Sequence, residues 1–249
     1  RMDSLMVAAN IRNLSLLELF YTCVTNLCKI MDERGTKIPD EQHHYIEKDD
    51  YNKCIYYNRD MDATERTLVV MKDADILIKI CDSTGDFDDT SEYQLLIRLL
   101  KERTIVDGDG SRRLRQKEEV ETPSEVLLNP SDPEATFRYK AGGRHLGYVG
   151  NIVESVGKNG SLIIDYAYQQ NTYADNQFMK DYLTVQKDFS EGSFIVADGA
   201  YSGEENSRLA SEHKLKLVTT NFTGRKPDEI YADFVFTDDG KYLIKCKND

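Results

Sequence analysis

Two aspartates stand where an α/β protein could carry out chemistry. Asp198 directly follows the short apolar run at 194–197 and precedes a glycine. Such a run predicts a buried strand, and active sites in open α/β sheets usually lie at the carboxyl ends of strands. Asp198 could instead cap the helix that is expected to begin near residue 203. Asp3 occupies a comparable setting at the other end of the sequence, which favours an active site containing both carboxylates.

The composition is that of an ordinary globular protein. Of the 249 residues, 40% are hydrophobic and 31% are charged, which gives ample core for one elaborated domain or two. No apolar run approaches the ~18 residues of a membrane span, and no signal peptide opens the sequence, so we expect no membrane partner. Without a secretion signal, the five irregularly spaced cysteines predict reduced thiols in a cytoplasmic protein. They are Cys23, Cys28, Cys54, Cys81 and Cys246.

The net charge bears on nucleic acid as a partner. The formal charge of −12 argues against DNA binding, because such proteins gain affinity from lysine and arginine. Basic residues nevertheless cluster at 111–117 and 137–144, whereas acids gather at 40–62 and 86–89. Since local charge matters more than the sum, a basic surface for DNA is compatible with the acidic total.

Residues 13–104 carry three helix-start signals, each followed by apolar residues at helical spacing. The segment 15–18 has the Ser-x-x-Glu form of a capping box, and 62–65 and 89–92 have related forms. We therefore predict a mostly helical segment over 13–104, with its apolar stripes facing a core. The following segment, 105–135, is rich in glycine, proline and charged residues, which predicts a long loop or linker.

After residue 145 the pattern changes to that of strands joined by turns and helices. Two segments, 147–154 and 161–168, flank Asn159-Gly160, a pair that marks a β-hairpin. Later signals predict a helix around 178–185, a strand ending at Asp198, a helix over 203–213, a strand over 215–219 and a hairpin from 234–236 to 242–244. With a first strand around Asp3, this order predicts a mixed α/β sheet.

The same order is the layout of a ribonuclease H-like domain, and six short motifs occur along it. They are RMDS (1–4) with NI (10–11), SDPEA (131–135), GY (147–148), NT (171–172), VADGAY (196–201) and TNFTG (220–224). Together they resemble bacterial insertion-sequence transposases of the DDE type. The resemblance implies an α/β fold with a ribonuclease H-like mixed sheet and a helical insertion after the first strand. The expected divisions are a first strand in 1–12, an insertion in 13–104, a linker in 105–135 and the rest of the catalytic domain in 136–249, truncated at its C-terminus.

The resemblance also implies an activity, which is metal-dependent cleavage and transfer of DNA strands at insertion-sequence ends. In that family two aspartates and a glutamate hold two Mg²⁺ or Mn²⁺ ions, and the aspartates correspond to Asp3 and Asp198. Carboxylates suit these ions because hard cations prefer oxygen ligands. No glutamate here matches the one that the family carries on a later helix, so we expect it beyond residue 249. Asp165 is interpreted as a strand residue beside the site.

Two other functions stay open at this stage. One is a hydrolytic nuclease of the same fold, and the other is a non-catalytic remnant or binding module that lacks the third acid. A transposase would have transposon ends and target DNA as partners and would be compatible with a homodimer. The candidate phosphate contacts are the basic residues nearest the glycine-marked turns, for which an ordinary solvated surface is the alternative. They are Lys140, Arg144, Arg225 and Lys226.

Overall fold

The fold is described from a computed structural model, which covers residues 1–57, 61–140, 142–186, 189–190, 192–220, 235–236 and 243–245. The chain divides into two compact units. The first unit contains Arg1–Ser4, Asn151–Ala167 and Ala174–Asp249, and the second contains Leu5–Gly150 and Tyr168–Tyr173. Both helices and strands are present, so the expected mixed α/β class is confirmed.

The helices lie mainly in the first half of the chain. They are α1 (Leu16–Glu33), α2 (Asp50–Asn52), α3 (Ala63–Thr84), α4 (Ser91–Arg103), α5 (Asp175–Val185) and α6 (Glu204–Glu212). The strands are β1 (Met2–Ala8), β2 (Thr104–Val106), β3 (Arg112–Leu114), β4 (Thr136–Lys140), β5 (Gly143–Gly157), β6 (Gly160–Gln170), β7 (Phe194–Asp198), β8 (Lys216–Thr220), β9 (Val235–Phe236) and β10 (Leu243–Lys245). Strand order is β1-β5-β4 with β6 paired to β5, and β2-β3, β7-β8 and β9-β10 form two-stranded sheets.

The helical part of the second unit begins where local sequence signals predict it. At the start of α1 the Glu18 backbone N–H donates to the Ser15 hydroxyl at 3.3 Å, and the Ser15 N–H donates to the Glu18 carboxylate at 2.8 Å. Asp62 caps α3 and Thr90 caps α4 more simply, each side chain accepting one backbone N–H of the first turn. Helix α1 packs against α3 and α4, and its completely buried residues include Phe20. The mostly helical segment over 13–104 is therefore confirmed.

The segment 105–135 is more structured than the expected loop or linker. Strands β2 and β3 pair antiparallel near its start, and the Arg113 guanidinium binds the Glu119 carboxylate at 2.8 Å. Further along, Val126 and Leu127 are buried, and Leu127 belongs to the core formed by the helices. The apolar run at 126–128 is too short to show a helical or strand period. Its burial in the core could therefore not be predicted from the sequence.

Position 147 on β5 must be glycine because the chain segment of β1 lies directly against it. Gly147 has φ +136°, and a Cβ at this position would lie 2.3 Å from the Val7 carbonyl oxygen and 2.5 Å from the Ala9 nitrogen. The Ala9 N–H donates to the Leu146 carbonyl at 3.0 Å. Only glycine tolerates this backbone conformation together with so close an approach. The glycine of the Gly-Tyr motif at 147–148 is therefore explained by the close packing of β1 against β5.

The first unit contains the helix-linked strands predicted around Asp198. Strand β7 pairs in parallel with β8, and Asp198 lies opposite Thr220 at the end of the ladder. Helix α6 lies between these strands in sequence and packs on α5. The predicted hairpin is confirmed by the pairing of β5 and β6. Its two-residue turn is Lys158-Asn159, one position before the expected Asn159-Gly160 pair. Strands β9 and β10 pair antiparallel as expected, and their predicted turn at 238–240 lies outside the described residues.

Candidate functional site

Asp198 is the last residue of β7 and also caps the turn that follows. Its Oδ1 accepts a hydrogen bond from the Ala200 N–H at 2.8 Å, at the start of the 3-10 turn Gly199–Tyr201. Helix α6 begins later, at Glu204, after Gly203. Asp198 is thus a cap, but of this short turn and not of the helix. The cap fixes the carboxylate at the carboxyl end of a strand, and it uses one oxygen.

Asp3 lies on β1 and is half exposed. Its Oδ1 accepts from the Ser4 N–H at 2.9 Å, and its Oδ2 pairs with the Arg1 guanidinium at 2.9 Å. This pair, chiefly through its hydrogen bond, raises the pKa of Arg1. The side chains of Arg1 and Asp3 are 58% and 57% exposed. A pair this open to water is screened and contributes little to stability, so a competing cation could displace Arg1.

One cavity in the first unit brings the two aspartates together. The cavity has a volume of about 390 Å³, and Asp3 and Asp198 both line it, with Arg1, Met2, Val196 and Ala197. Met2 and Ala197 are each only 1% exposed, so part of the lining is apolar core. The Arg1 guanidinium, which pairs with Asp3 and also lines the cavity, offsets part of the repulsion between the two carboxylates.

A buried tyrosine lies three residues after Asp198 in the chain, and the charges of both aspartates act on it. Tyr201 is completely buried, and its hydroxyl donates to the Asn151 side-chain oxygen at 2.7 Å. Burial raises the pKa of Tyr201 far above its usual range, and the charges of Asp3 and Asp198 act in the same direction. Sequence analysis missed this contact because no local signal connects Tyr201 to a residue on β5.

The donors at the cavity are of the type that a hard divalent cation prefers. Asp3 and Asp198 supply carboxylate oxygens, which suit Mg²⁺ or Mn²⁺. Over the described residues, no group of three or more His, Cys, Asp or Glu side chains is arranged to hold a metal ion. Asp3 and Asp198 could supply two of the ligands of a cation, and the other ligands would have to come from water or from other groups. Asp165 lies exposed on β6, and its charge contributes to raising the pKa of Tyr182.

The basic candidates for DNA contact lie in different parts of the sequence. Lys140 ends β4 and pairs with Gly143 at the start of β5, in the second unit. Arg144 follows, with its guanidinium carbon 4.4 Å from the centre of the Phe137 ring. Both side chains are exposed. The other two candidates, Arg225 and Lys226, lie outside the described residues.

Comparisons with protein-family models, with curated proteins and with solved structures found no match to this chain. In the parts of the chain that the structure describes, no helix combines the length and apolar character needed to cross a membrane. The function proposed below is therefore argued from the residues and their geometry.

Proposed function

We propose that this chain is the catalytic core of a DDE-type DNA transposase with a ribonuclease H-like fold. Its activity would be metal-dependent cleavage and transfer of DNA strands. The observation that carries the proposal is the shared cavity of Asp3 and Asp198, two acids separated by 195 positions in the sequence. Their placement on strands, one of them at a carboxyl end, matches the usual location of an α/β active site.

The electrostatics of the cavity support cation binding. Asp3 and Asp198 would hold Mg²⁺ or Mn²⁺, with the remaining positions filled by water or by other ligands. Two such ions, when bound, activate a water or a 3′-hydroxyl and stabilise the leaving oxygen of a phosphodiester. A divalent cation would replace the weak exposed pairing of Asp3 with Arg1, because it brings a larger charge to the same oxygen.

The hydrogen bonds around the aspartates would orient them for this role. The Ala200 N–H holds Oδ1 of Asp198, while Oδ2 has no hydrogen-bond partner within the described structure. The Ser4 N–H holds Oδ1 of Asp3 in a comparable way. Each carboxylate is thereby fixed by a backbone donor through one oxygen, and its second oxygen can bind a cation.

The β4–β5 hairpin in the second unit would contribute to binding DNA. Lys140 and Arg144 are both exposed near its turn, and Tyr139, which pairs with Arg144 across the strands, is 71% exposed. Burial chiefly lowers the pKa of Arg103; the charge of Glu102 opposes this effect, and the nearby charge of Arg144 adds to it. Cations beside an exposed aromatic ring suit contact with phosphates and stacking with bases.

A metal titration tests the cation site. Thermal melts of the chain with increasing Mn²⁺ should show rising stability, because a ligand that binds only the folded state stabilises it. Asp198→Asn should remove most of this gain, since it deletes a charge and nearly keeps the shape. Asp165→Asn is the matched control and should leave the gain in place. Equal loss in both variants would mean that the acids are assigned wrongly.

Salt-dependent DNA binding tests the basic surface. Charge reversal of Lys140 and Arg144 together should weaken binding and lower the slope of log K against log salt by about 2, near 0.9 for each phosphate that is no longer neutralised. Lys158→Glu, in the exposed turn after β5, is the control for a change of net charge. An unchanged slope would remove the hairpin from the DNA surface. DNA binding without any metal response would favour a binding module over an enzyme.

Product analysis separates the two enzymatic alternatives. A protein that includes the third acid should be incubated with a labelled insertion-sequence end, a target duplex and Mn²⁺. A transposase yields joined strands, whereas a nuclease yields only cleaved strands. Joined product is the outcome we expect.

A further inference from the structure

We propose that Tyr201 is a positioning residue that fixes the spacing between the carboxylates of Asp3 and Asp198. The inference rests on the proposed cation site and adds to it a residue that does not touch the metal. Tyr201 is the last residue of the turn that Asp198 caps, and its hydroxyl donates to Asn151 on β5, the strand that pairs with β1. Through β5, this side chain connects the turn after Asp198 to the strand that carries Asp3.

The backbone of Tyr201 is held from the side of the helices. The Asn206 side-chain nitrogen donates to the Tyr201 carbonyl at 2.9 Å and to the Asn176 carbonyl at 2.8 Å. Asn206 is 3% exposed, so these bonds are made away from water, where they are hard to replace. The 3-10 turn after Asp198 is thus tied to α5 and α6.

The hydroxyl of Tyr201 is held from the side of the sheet. It donates to Oδ1 of Asn151 on β5 at 2.7 Å, and Asn151 is 3% exposed. On the same stretch of β5, the Glu154 N–H donates to the Arg1 carbonyl at 2.8 Å, next to the strand that carries Asp3. A buried hydroxyl must keep its partner, so the Tyr201 ring has one favourable position relative to β5.

The hydrogen bonds of Tyr201 hold the turn after Asp198 in place, which packing of its ring alone would not do. A phenylalanine would fill nearly the same volume but could not bond to Asn151. Partners that orient metal ligands typically contribute 10–100-fold to metal affinity. We therefore expect Tyr201→Phe to raise the dissociation constant for Mn²⁺ about tenfold, at the low end of that range, with both aspartates present.

The experiment measures Mn²⁺ affinity separately from stability. Free Mn²⁺ is followed by electron paramagnetic resonance during a titration of the full 249-residue chain, at a temperature where each variant is folded. Tyr201→Phe and Asn151→Ala remove the same hydrogen bond from its two sides, so both should weaken binding. Leu183→Ala, at a completely buried position of α5, is the control for general loss of stability and should bind Mn²⁺ as the unaltered chain does.

The outcomes separate the positioning function of Tyr201 from the existence of the cation site itself. Binding about tenfold weaker in Tyr201→Phe but unchanged in Leu183→Ala supports the positioning function. Unchanged binding in Tyr201→Phe, or an equal loss in Leu183→Ala, overturns it and leaves the cation site intact. If the unaltered chain and Asp198→Asn bind Mn²⁺ equally, the cation site itself is wrong and the function of Tyr201 is rejected with it. Should Tyr201→Phe fail to fold, Asn151→Ala decides by the same criterion.

Discussion

The substitution Gly147→Ala should disrupt the pairing of β1 with β5. Gly147 has φ +136°, and an added Cβ would lie 2.3 Å from the Val7 oxygen and 2.5 Å from the Ala9 nitrogen. Both neighbours are backbone atoms of the segment that carries β1, so neither can turn aside as a flexible side chain would. We expect the strand to be displaced.

The size of the effect follows from two contributions. Holding a residue other than glycine in this region of φ costs about 1–3 kcal/mol. Forcing extra atoms into a packed site costs about 1–3 kcal/mol more, and the upper value applies where rigid backbone is the obstacle. For a chain of this length each kcal/mol lowers Tm by about 2–4 °C. The steric contribution alone should therefore lower Tm by roughly 6–12 °C.

Gly160→Ala is the matched control for the backbone contribution. Gly160 has φ +138°, almost the value at Gly147, but a Cβ there would have no atom within 4 Å. Both substitutions also reduce the entropy of the unfolded chain equally, so this effect cancels in the comparison. The difference in Tm between the two variants isolates the clash with β1.

Two measurements check this reasoning. Thermal melts give the difference in Tm, and hydrogen exchange follows the Ala9 N–H, which bonds to the Leu146 carbonyl at 3.0 Å. Exchange at Ala9 should be faster in Gly147→Ala and unchanged in Gly160→Ala. Equal values of Tm in the two variants would refute the close approach of β1 to Gly147.

Two further predictions concern polar contacts in the second unit. The Tyr21 hydroxyl donates to the buried Asp50 carboxylate at 2.6 Å, so Tyr21→Phe should lower the free energy of unfolding in urea by about 1.5–3 kcal/mol. The more exposed Tyr93→Phe should cost less than about 0.5 kcal/mol, and equal costs would contradict the burial argument. Hydrogen bonds from Arg113 lower the pKa of Glu119 from 4.5 to about 2, so the stability they provide is present above about pH 4.5 and is lost as pH falls towards 2. Glu119→Gln should therefore flatten the fall of Tm over that range, and an unaltered fall would contradict the pairing.

Elements that depend on a few neighbouring residues could be predicted from the sequence. The capping box of Ser15 and Glu18 brings together groups three residues apart, so the sequence contains all that determines it. The β5–β6 hairpin is local in the same sense, because Gly160, directly after its turn, has φ +138°, a conformation that favours glycine. The apolar run before Asp198 and the glycine after it predict the strand that ends at this residue.

Contacts between distant segments could not be predicted in this way. The burial of Leu127 depends on a core built by helices that precede it, and nothing in its own neighbourhood requires it. The bond from Tyr201 to Asn151 joins residues 50 positions apart. Its two polar groups are common on protein surfaces, and their burial together becomes visible only once β5 and the turn after β7 are in place.

The two interpretations of Asp198, as a cap and as an acid of the site, are compatible, because each uses a different oxygen. Oδ1 accepts the Ala200 N–H at 2.8 Å, which orients the carboxylate, and Oδ2 is left for the cavity. Asparagine caps as well as aspartate, whereas alanine costs about 1 kcal/mol at such a position. Asp198→Asn should therefore keep Tm without metal and lose the response to Mn²⁺, while Asp198→Ala should lose both. A large loss of Tm in metal-free Asp198→Asn would show that the charge, and not the cap, stabilises the turn.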